Sequence, residues 1–488
     1  MDVLSYRGPG AAGGVSSGLE RAWRTQHEGG ACWWFLSGDF LNKLPSDYQN
    51  SQFVTMLSEN LVKGHYRFCN EFIWPVMHDL PQYATLNDDD REAYRQFNLK
   101  VADHVTYENG NRLYFVQDYQ LALVPRYTKL YGARTHVFWH IPWPKDVPPE
   151  FVQPVVEIAR ALLRADGIAF HTKEYVDNFM HFIWQYLLEF VVDQETARVS
   201  HIPETSLEPM ERRPAPGTMD DGTYVLARQR PVVQAPVGDT RLFARPLGID
   251  MDFWREMSSH PDTDKTPAVL KDLQTPFVLS VDRADYTKAV ADRIASIDEY
   301  FTLHPERIGK LTFVQICGRT RSGLEAFDQY WETCQAGVDY LNARWGTDGW
   351  EPLHWVKTPL GPPELAQLYR NAVAMLVNPV RDGLNLTAKE YVACQGDNAG
   401  VLLLSEGAGV WKEFGGYALP ASPAVPGQIA DSLEAALSMS QIERNTRMHL
   451  MKQKVEKNSL SRWWQKSLSA FATTEREYAI TLADERIA

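Results

Sequence analysis

Cysteine is scarce: five residues in 488 (Cys32, Cys69, Cys317, Cys334, Cys394), an odd number, scattered and without a CxxC pair. Such usage excludes a disulfide scaffold and reads as reduced, mostly buried thiols of a cytosolic protein. Positive charge is also in deficit. With 49 Lys and Arg against 62 Asp and Glu, the net charge is −13, which argues against a nucleic-acid footprint but leaves room for local basic sites that take phosphates. No apolar run approaches about 18 residues, so no spanning helix is expected. The first residues enter a strand without a basic and then apolar leader, so a secretory signal is not expected either. The first glycine-rich loop lacks the spacing of both GxGxxG and GxxxxGK[ST].

What is present fits a soluble globular chain: 44% apolar and 23% charged residues. The length calls for two domains of about 200 to 250 residues. Fifteen Trp are many; they suit carbohydrate binding or, more simply, large cores. Short apolar runs of strand length alternate with helical patterns in both halves. The strands are centred on 3–6, 33–36, 112–116, 135–139, 167–170, 276–280, 310–316, 354–356, 373–377 and 400–404, with helices between them, including one expected over 47–57. This alternation predicts an α/β protein of two doubly wound, Rossmann-like domains facing a cleft. The Pro-, Glu-, Arg- and Gly-rich stretch 201–230 reads as loop or hairpin. A turn at Pro246–Asp250 ends the first domain, giving 1–250 and a second domain from 251. Asp250-Met251-Asp252 matches the DxD string of metal-dependent sugar transferases, but it falls at the linker and is discounted.

The most informative stretch runs from Val380 to Val392. A strand at 373–377 leads into a polar loop with Asp382 and Gly383, and a helix starts between Asn385 and Thr387. Such a junction leaves backbone N–H groups unpaired at the positive end of a helix dipole, which suits a phosphate. Asp382 can accept from sugar hydroxyls, or can act only as a cap. Glu390, about one turn in, lies within reach of a ribose if the phosphate caps the helix.

Other candidates sit after strands, where open α/β sheets bind ligands. Gly13-Gly14 lets a ligand approach the backbone, and Arg7 at the end of the first strand can meet an anion. Asp118 is a site carboxylate or a cap. His140, in His140-Ile-Pro-Trp-Pro144, is held still by two prolines and is structural or functional. Arg283 and Lys288 leave one strand-to-helix loop and can flank a diphosphate. Arg319 and Arg321 follow the next strand. In the aromatic string 65–75, Phe68, Phe72 and Trp74 read as core, while His65, Tyr66 and Arg67 can point elsewhere.

Three strings, His140–Pro144, Ser280–Lys288 and Arg381–Val392, resemble those of the trehalose-6-phosphate synthase family of retaining glucosyltransferases and its sister glucosylglycerol-phosphate synthases. The likeness covers nearly the whole chain. It implies a GT-B architecture with the active site in the cleft, a second domain over 251–465, and a C-terminal helix, 466–488, that crosses back to the first domain. By the resemblance, Gly14 lies against the donor diphosphate, and Arg283 and Lys288 neutralise it as it departs. Asp382 with the amides of Asn385, Leu386 and Thr387 holds donor sugar and phosphate, Glu390 the ribose, and His140 the donor sugar. Arg7, Tyr66, Trp74, Asp118 and Arg321 match acceptor-side positions, the arginines being suited to an acceptor phosphate.

The implied substrates are UDP-, ADP- or GDP-glucose and a sugar phosphate or glycerol phosphate. No cofactor, metal, nucleic acid or membrane is called for, the location is cytoplasmic, and a homo-oligomer is compatible with the chain. The acceptor hydroxyl would attack on the face that the diphosphate leaves, with retention. Departures gather on the acceptor side. His65 stands where trehalose-forming members usually carry Tyr, Leu36 precedes Ser-Gly where Trp is common, and Gln117 replaces the His of a His-Asp-Tyr string. Residues 170–179 and 201–250 look closer to glucosylglycerol-phosphate synthases. A cyclitol-coupling pseudo-glycosyltransferase, an epimerase of the same architecture and a silent regulatory homologue are the rival readings. Arg283, Lys288, Lys389 and Glu390, together with the arginine pair, weigh against them.

Overall fold

The structure is a computed structural model that describes residues 1–470 except 12–13, 27–29, 48, 110–112, 202–236, 261–264 and 426. Two sheets organise the described residues. The first comprises β1 (Asp2–Arg7), β2 (Cys32–Ser37), β3 (Phe40–Pro45), β4 (Gln52–Met56), β5 (Leu113–Gln117), β6 (Arg134–Trp139), β7 (Gly167–Phe170), β8 (Phe190–Asp193), β9 (Arg198–His201) and β10 (Val237–Ala244). Their order is β4-β3-β2-β1-β5-β6-β7-β10-β9-β8. The middle, β2 to β10, is parallel and both margins are antiparallel.

The expected helix over 47–57 is instead the turn into β4. Gln52–Met56 is rich in β-branched and aromatic residues and pairs antiparallel with β3, a strand chemistry that overrides the helical spacing. The stretch 201–230 falls almost wholly outside the described residues.

The second sheet is all parallel, in the order β13-β12-β11-β14-β15-β16. Its strands are β11 (Phe277–Arg283), β12 (Thr312–Gly318), β13 (Leu353–Val356), β14 (Ala374–Val377), β15 (Val401–Leu404) and β16 (Leu419–Pro420). Val278, Leu279, Leu376 and Leu403 are inaccessible, because helices cover both faces of a parallel sheet. The strand order reverses beside β1 in the first sheet and beside β11 in the second, so each has a switch-point crevice at its carboxyl edge.

Alternate strand residues feed opposite faces. Leu4, Trp34, Tyr114 and Trp139 join the core under the first sheet. Val3, Trp33 and Phe115 join one that continues into the second sheet through Leu279, Tyr391 and Trp464. A third core, with Val278, Phe301 and Leu403, lies on the far face of the second sheet. Trp33, Trp34, Trp139, Trp143 and Trp464 are among the largest fully buried side chains, so much of the tryptophan is core. Four of the five cysteines, Cys69, Cys317, Cys334 and Cys394, are buried and free.

Residues 460–470 are helical and lie against the first sheet. The Trp463 ring is 5.2 Å from Phe138, and Arg245 Nη1 donates to Lys466 O at 2.6 Å. The remainder of the expected C-terminal helix, from 471, lies outside the described residues. Among the described residues no helix is long and apolar enough to cross a membrane.

Candidate active site

The two carboxyl edges face one another, and the loops leaving them touch. Gly383, after β14, is so close to the turn after β6 that a Cβ there would sit 2.0 Å from His140 O. Only glycine permits that approach. The loop is braced from behind by the turn after β15: Asp382 N donates to Gly407 O at 2.9 Å, and Gly409 N donates to Asp382 O at 3.0 Å. Tyr175, on the helix Lys173–Tyr186 after β7, donates its hydroxyl to Asp382 O at 2.9 Å.

The helix Leu386–Cys394 begins at Asn385, whose φ of +79° turns the chain sharply and whose Oδ1 accepts from Ala388 N at 3.1 Å. The amides of Asn385, Leu386 and Thr387 have no protein acceptor among the described residues. These are unpaired donors at a helix N-terminus, as expected from the loop. Lys288 pairs with Asp382 Oδ2, and both side chains are about seven-eighths buried. Burial alone would raise the Asp382 carboxyl, but the charge and hydrogen bond of Lys288, with Asn385, hold it below the ordinary value.

Arg283, at the end of β11, is exposed to the cleft and makes no hydrogen bond or ion pair among the described residues. It is carried by a strand whose end is fixed by Asp282, buried against Arg293 at 2.6 Å. Glu390 is half-buried and accepts from the Tyr369 hydroxyl at 3.1 Å. Burial pushes its carboxyl up to about 7, against the Tyr369 hydrogen bond and the Arg21 charge. Gly14 opens the helix Gly14–Gln26, and Gly13 lies outside the described residues.

The acceptor-side candidates divide. Arg7 and Tyr66 line a cavity of about 650 Å³ together with Lys63, Arg67, Ser322 and Gly323. Trp74 and Arg321 form a buried layer beside it. Arg321 Nη1 meets Asp285 Oδ2 at 2.5 Å and its Nε donates to Asn70 at 2.6 Å. The guanidinium stacks 4.0 Å from the Trp74 ring, and the Trp74 indole N–H points at Asp285 from 3.4 Å. Arg321 is thus held from several sides, with its side chain only 6% exposed. Asp285 is inaccessible, and although burial would raise it, Arg321, Arg283 and Lys288 hold it down at about 2.

A π-helical turn at Phe68–Ile73 joins the helix before it, whose Tyr66 lines the cavity, to the helix after it, whose Trp74 meets Asp285. His65 is core: it stacks 3.8 Å from Phe97 and meets Gln120 O at 2.9 Å. Asp118 precedes the short helical turn Tyr119–Leu121 but makes no side-chain capping bond to it. Its Oδ1 accepts from His140 N at 3.0 Å, and burial lifts its carboxyl to about 7 against the amides of His140 and Tyr119. His140 is 6% exposed and both ring nitrogens have protein partners, Gln117 at 3.0 Å and His171 at 3.3 Å.

Reasoning from sequence passed over Asp285, Asn70, Gln117 as a ring partner, His171 and Tyr175. Asp285 lies within Ser280–Lys288, where the neighbouring cations Arg283 and Lys288 dominate the local signal. Asp250 simply caps a helix by accepting from Phe253 N at 3.1 Å, which agrees with discounting the DxD match. No group of three or more candidate metal ligands occurs among the described residues.

Two Rossmann-like sheets with facing carboxyl edges define the GT-B class of glycosyltransferase folds. The α,α-trehalose-phosphate synthase (UDP-forming) of Burkholderia vietnamiensis has this fold, with a TM-score of 0.83 at 24% identity over 97% of each chain. The chain belongs to glycosyltransferase family 20, whose sequence model matches residues 41–473. A bifunctional trehalose-6-phosphate synthase/phosphatase of Thermoproteus tenax is 31% identical over 418 residues, 83% of this chain and 51% of that protein. A UDP-forming α,α-trehalose-phosphate synthase of Dictyostelium discoideum is 30% identical over 421 residues, 83% and 51%. The chain thus spans about half the length of these two relatives.

Proposed function

We propose that the protein is a retaining glucosyltransferase that moves glucose from UDP-glucose to glucose 6-phosphate, forming trehalose 6-phosphate. The reading is carried by one observation: the Lys288–Asp382 pair joins the loop that carries the exposed Arg283 to the loop that ends in three unpaired amides at a helix start. Breaking a sugar–diphosphate bond leaves negative charge on the diphosphate, and preorganised cations and N–H groups stabilise that charge most where water is excluded. Lys288 and Arg283 take the departing phosphate oxygens. The amides of Asn385, Leu386 and Thr387 cap them, Glu390 accepts from the ribose, and Asp382 and His140 border the sugar. Fixed charge from the chain serves here, so activity is expected to survive a chelator.

The acceptor is placed in the cavity lined by Arg7 and Tyr66, against the Trp74 and Asp118 side. Names of the relatives support UDP as leaving group and trehalose 6-phosphate as product. The division into an acceptor domain over 1–250, a nucleotide-sugar domain over 251–465 and a returning C-terminal helix belongs to the same proposal. It is supported by a first sheet that ends at Ala244 and a second that begins at Phe277.

Glycerol phosphate is the second acceptor reading, favoured by Gln117 and His65 at positions where trehalose-forming members carry other residues. Incubation with UDP-, ADP- and GDP-glucose against glucose 6-phosphate and glycerol 3-phosphate, read by product mass, decides among them. Trehalose 6-phosphate from UDP-glucose supports the proposal, and glucosylglycerol phosphate selects the second reading. No transfer from any donor overturns both and leaves the silent homologue.

A further inference from the structure

His140, His171 and Gln117 form a buried row, 6%, 3% and 2% exposed. One end of it is a backbone amide, which can only donate. Leu247 N is 3.3 Å from His171 Nδ1, so that nitrogen accepts and neutral His171 carries its proton on Nε2. His171 Nε2 lies 3.3 Å from His140 Nδ1, which then accepts, leaving the His140 proton on Nε2. That proton faces Gln117 Oε1 at 3.0 Å. A single direction of donation runs from Leu247 through both rings to Gln117, and no ring can reverse alone without setting two donors or two acceptors against each other.

We propose that His171, with Gln117, is a positioning residue that holds His140 uncharged in its Nε2–H tautomer beside the transferring sugar. Burial pushes His140 well below its ordinary value, with His171 adding to the effect. His171 is pushed down to about 3 by burial and by the Lys389 charge, against backbone hydrogen bonds at Arg245 and His140. The charged or titratable groups around the row are Asp118, which accepts from His140 N, and Lys389, buried against Glu413 at 2.6 Å. Asp382 lies across the Gly383 contact. As the diphosphate leaves, the sugar gains positive charge, and an imidazolium beside it would oppose that change. A ring fixed in the neutral state avoids the repulsion at every working pH. This consequence rests on the glucosyl-transfer reading; the tautomer itself does not.

Two substitutions separate the links. His171→Asn retains an acceptor for Leu247 N–H but removes the donor to His140, whereas His171→Gln offers an amide N–H near the lost Nε2. Protein labelled with ¹⁵N-histidine, with His140→Gln for assignment, reports the ring state without substrate. Wild type is expected to show His140 protonated only at Nε2 and not titrating between about pH 5 and 8. In His171→Asn, His140 should populate the other tautomer or titrate in that window. The ratio of variant to wild-type kcat should then fall about tenfold per pH unit below the new pKa, while His171→Gln stays near wild type. Taking the ratio cancels titrations that both proteins share.

Thermal unfolding identifies a variant that has lost its fold. In that case the wild-type spectrum alone decides. A wild-type His140 protonated at Nδ1, or His171→Asn and His171→Gln with identical pH profiles, overturns the proposal. A protein that transfers no glucose overturns the functional reading but leaves the tautomer measurement intact.

Discussion

Replacing Lys288 by Met tests the cationic clamp and changes two quantities that can be read separately. Lys288 and Asp382 are 12% and 13% exposed and in direct contact. Breaking such a pair leaves a buried carboxylate whose remaining side-chain hydrogen-bond donor among the described residues is Asn385 Nδ2, 3.1 Å away, and costs about 3–5 kcal/mol of stability while that carboxylate stays ionised. The sign of the pH dependence should invert. In wild type the Asp382 carboxyl is depressed, so its contribution is present above the ordinary value of about 3.9 and is lost as pH falls through the depressed one. Without Lys288, burial raises the carboxyl. The variant is then relatively most stable in acid and loses stability as pH rises through the raised value.

For transfer, one cation at about 4 Å from the leaving phosphate, at an effective dielectric near 20, offsets up to roughly 4 kcal/mol. At about 1.4 kcal/mol per decade that is two to three decades in rate. Urea unfolding at acid and neutral pH and initial rates of nucleotide release read the two effects. In Lys288→Met/Asp382→Asn the stability should return and the transfer should not. Wild-type transfer in Lys288→Met, or a urea midpoint unchanged at neutral pH, refutes the reasoning.

Arg321→Met should destabilise the fold by about 3–5 kcal/mol, since it strands inaccessible Asp285. Because Asp285 is held at about 2, the wild-type contribution is present at neutral pH and fades only as pH falls toward that value; a loss under about 1 kcal/mol by urea unfolding contradicts this. Gly383→Ala should lower kcat about a hundredfold or more, because its Cβ would meet His140 O and part the loops by a distance that matters to reacting atoms. Thermal stability of that variant should fall as well, because the clash is with backbone and the packed loops must shift, and a wild-type kcat would show that the contact is not needed. Glu390, raised to about 7, should bind UDP more tightly from pH 6 to pH 8 as the carboxylate forms. Titration calorimetry should find that extra gain absent in Glu390→Gln, and an equal gain in both proteins removes Glu390 from the ribose contact.

The Val380–Val392 string was legible because everything it needs is local: a four-residue apolar strand, a glycine, a capping Asn and a helix within about a dozen residues. The alternation of strands and helices was equally plain, since parallel strands buried on both faces read as continuous apolar runs. Sequence could not reveal contacts that close over long separations. Trp74 meets Asp285 from 211 positions away, and Tyr175 meets Asp382 from 207. Arg321 looked like a free acceptor ligand because nothing near it in sequence announced Asp285 and Asn70. The edge hairpin β3–β4 was misread for a different reason: its second strand leaves Phe53 and Met56 exposed, so it lacks the in–out alternation that marks a half-buried strand.

A crystal structure with UDP bound tests the central claim most directly. The account predicts the diphosphate between Arg283 and Lys288, with its oxygens about 3 Å from the amides of Leu386 and Thr387 and the ribose at Glu390. A nucleotide bound away from Lys288 and from the loop after Gly383 would contradict it.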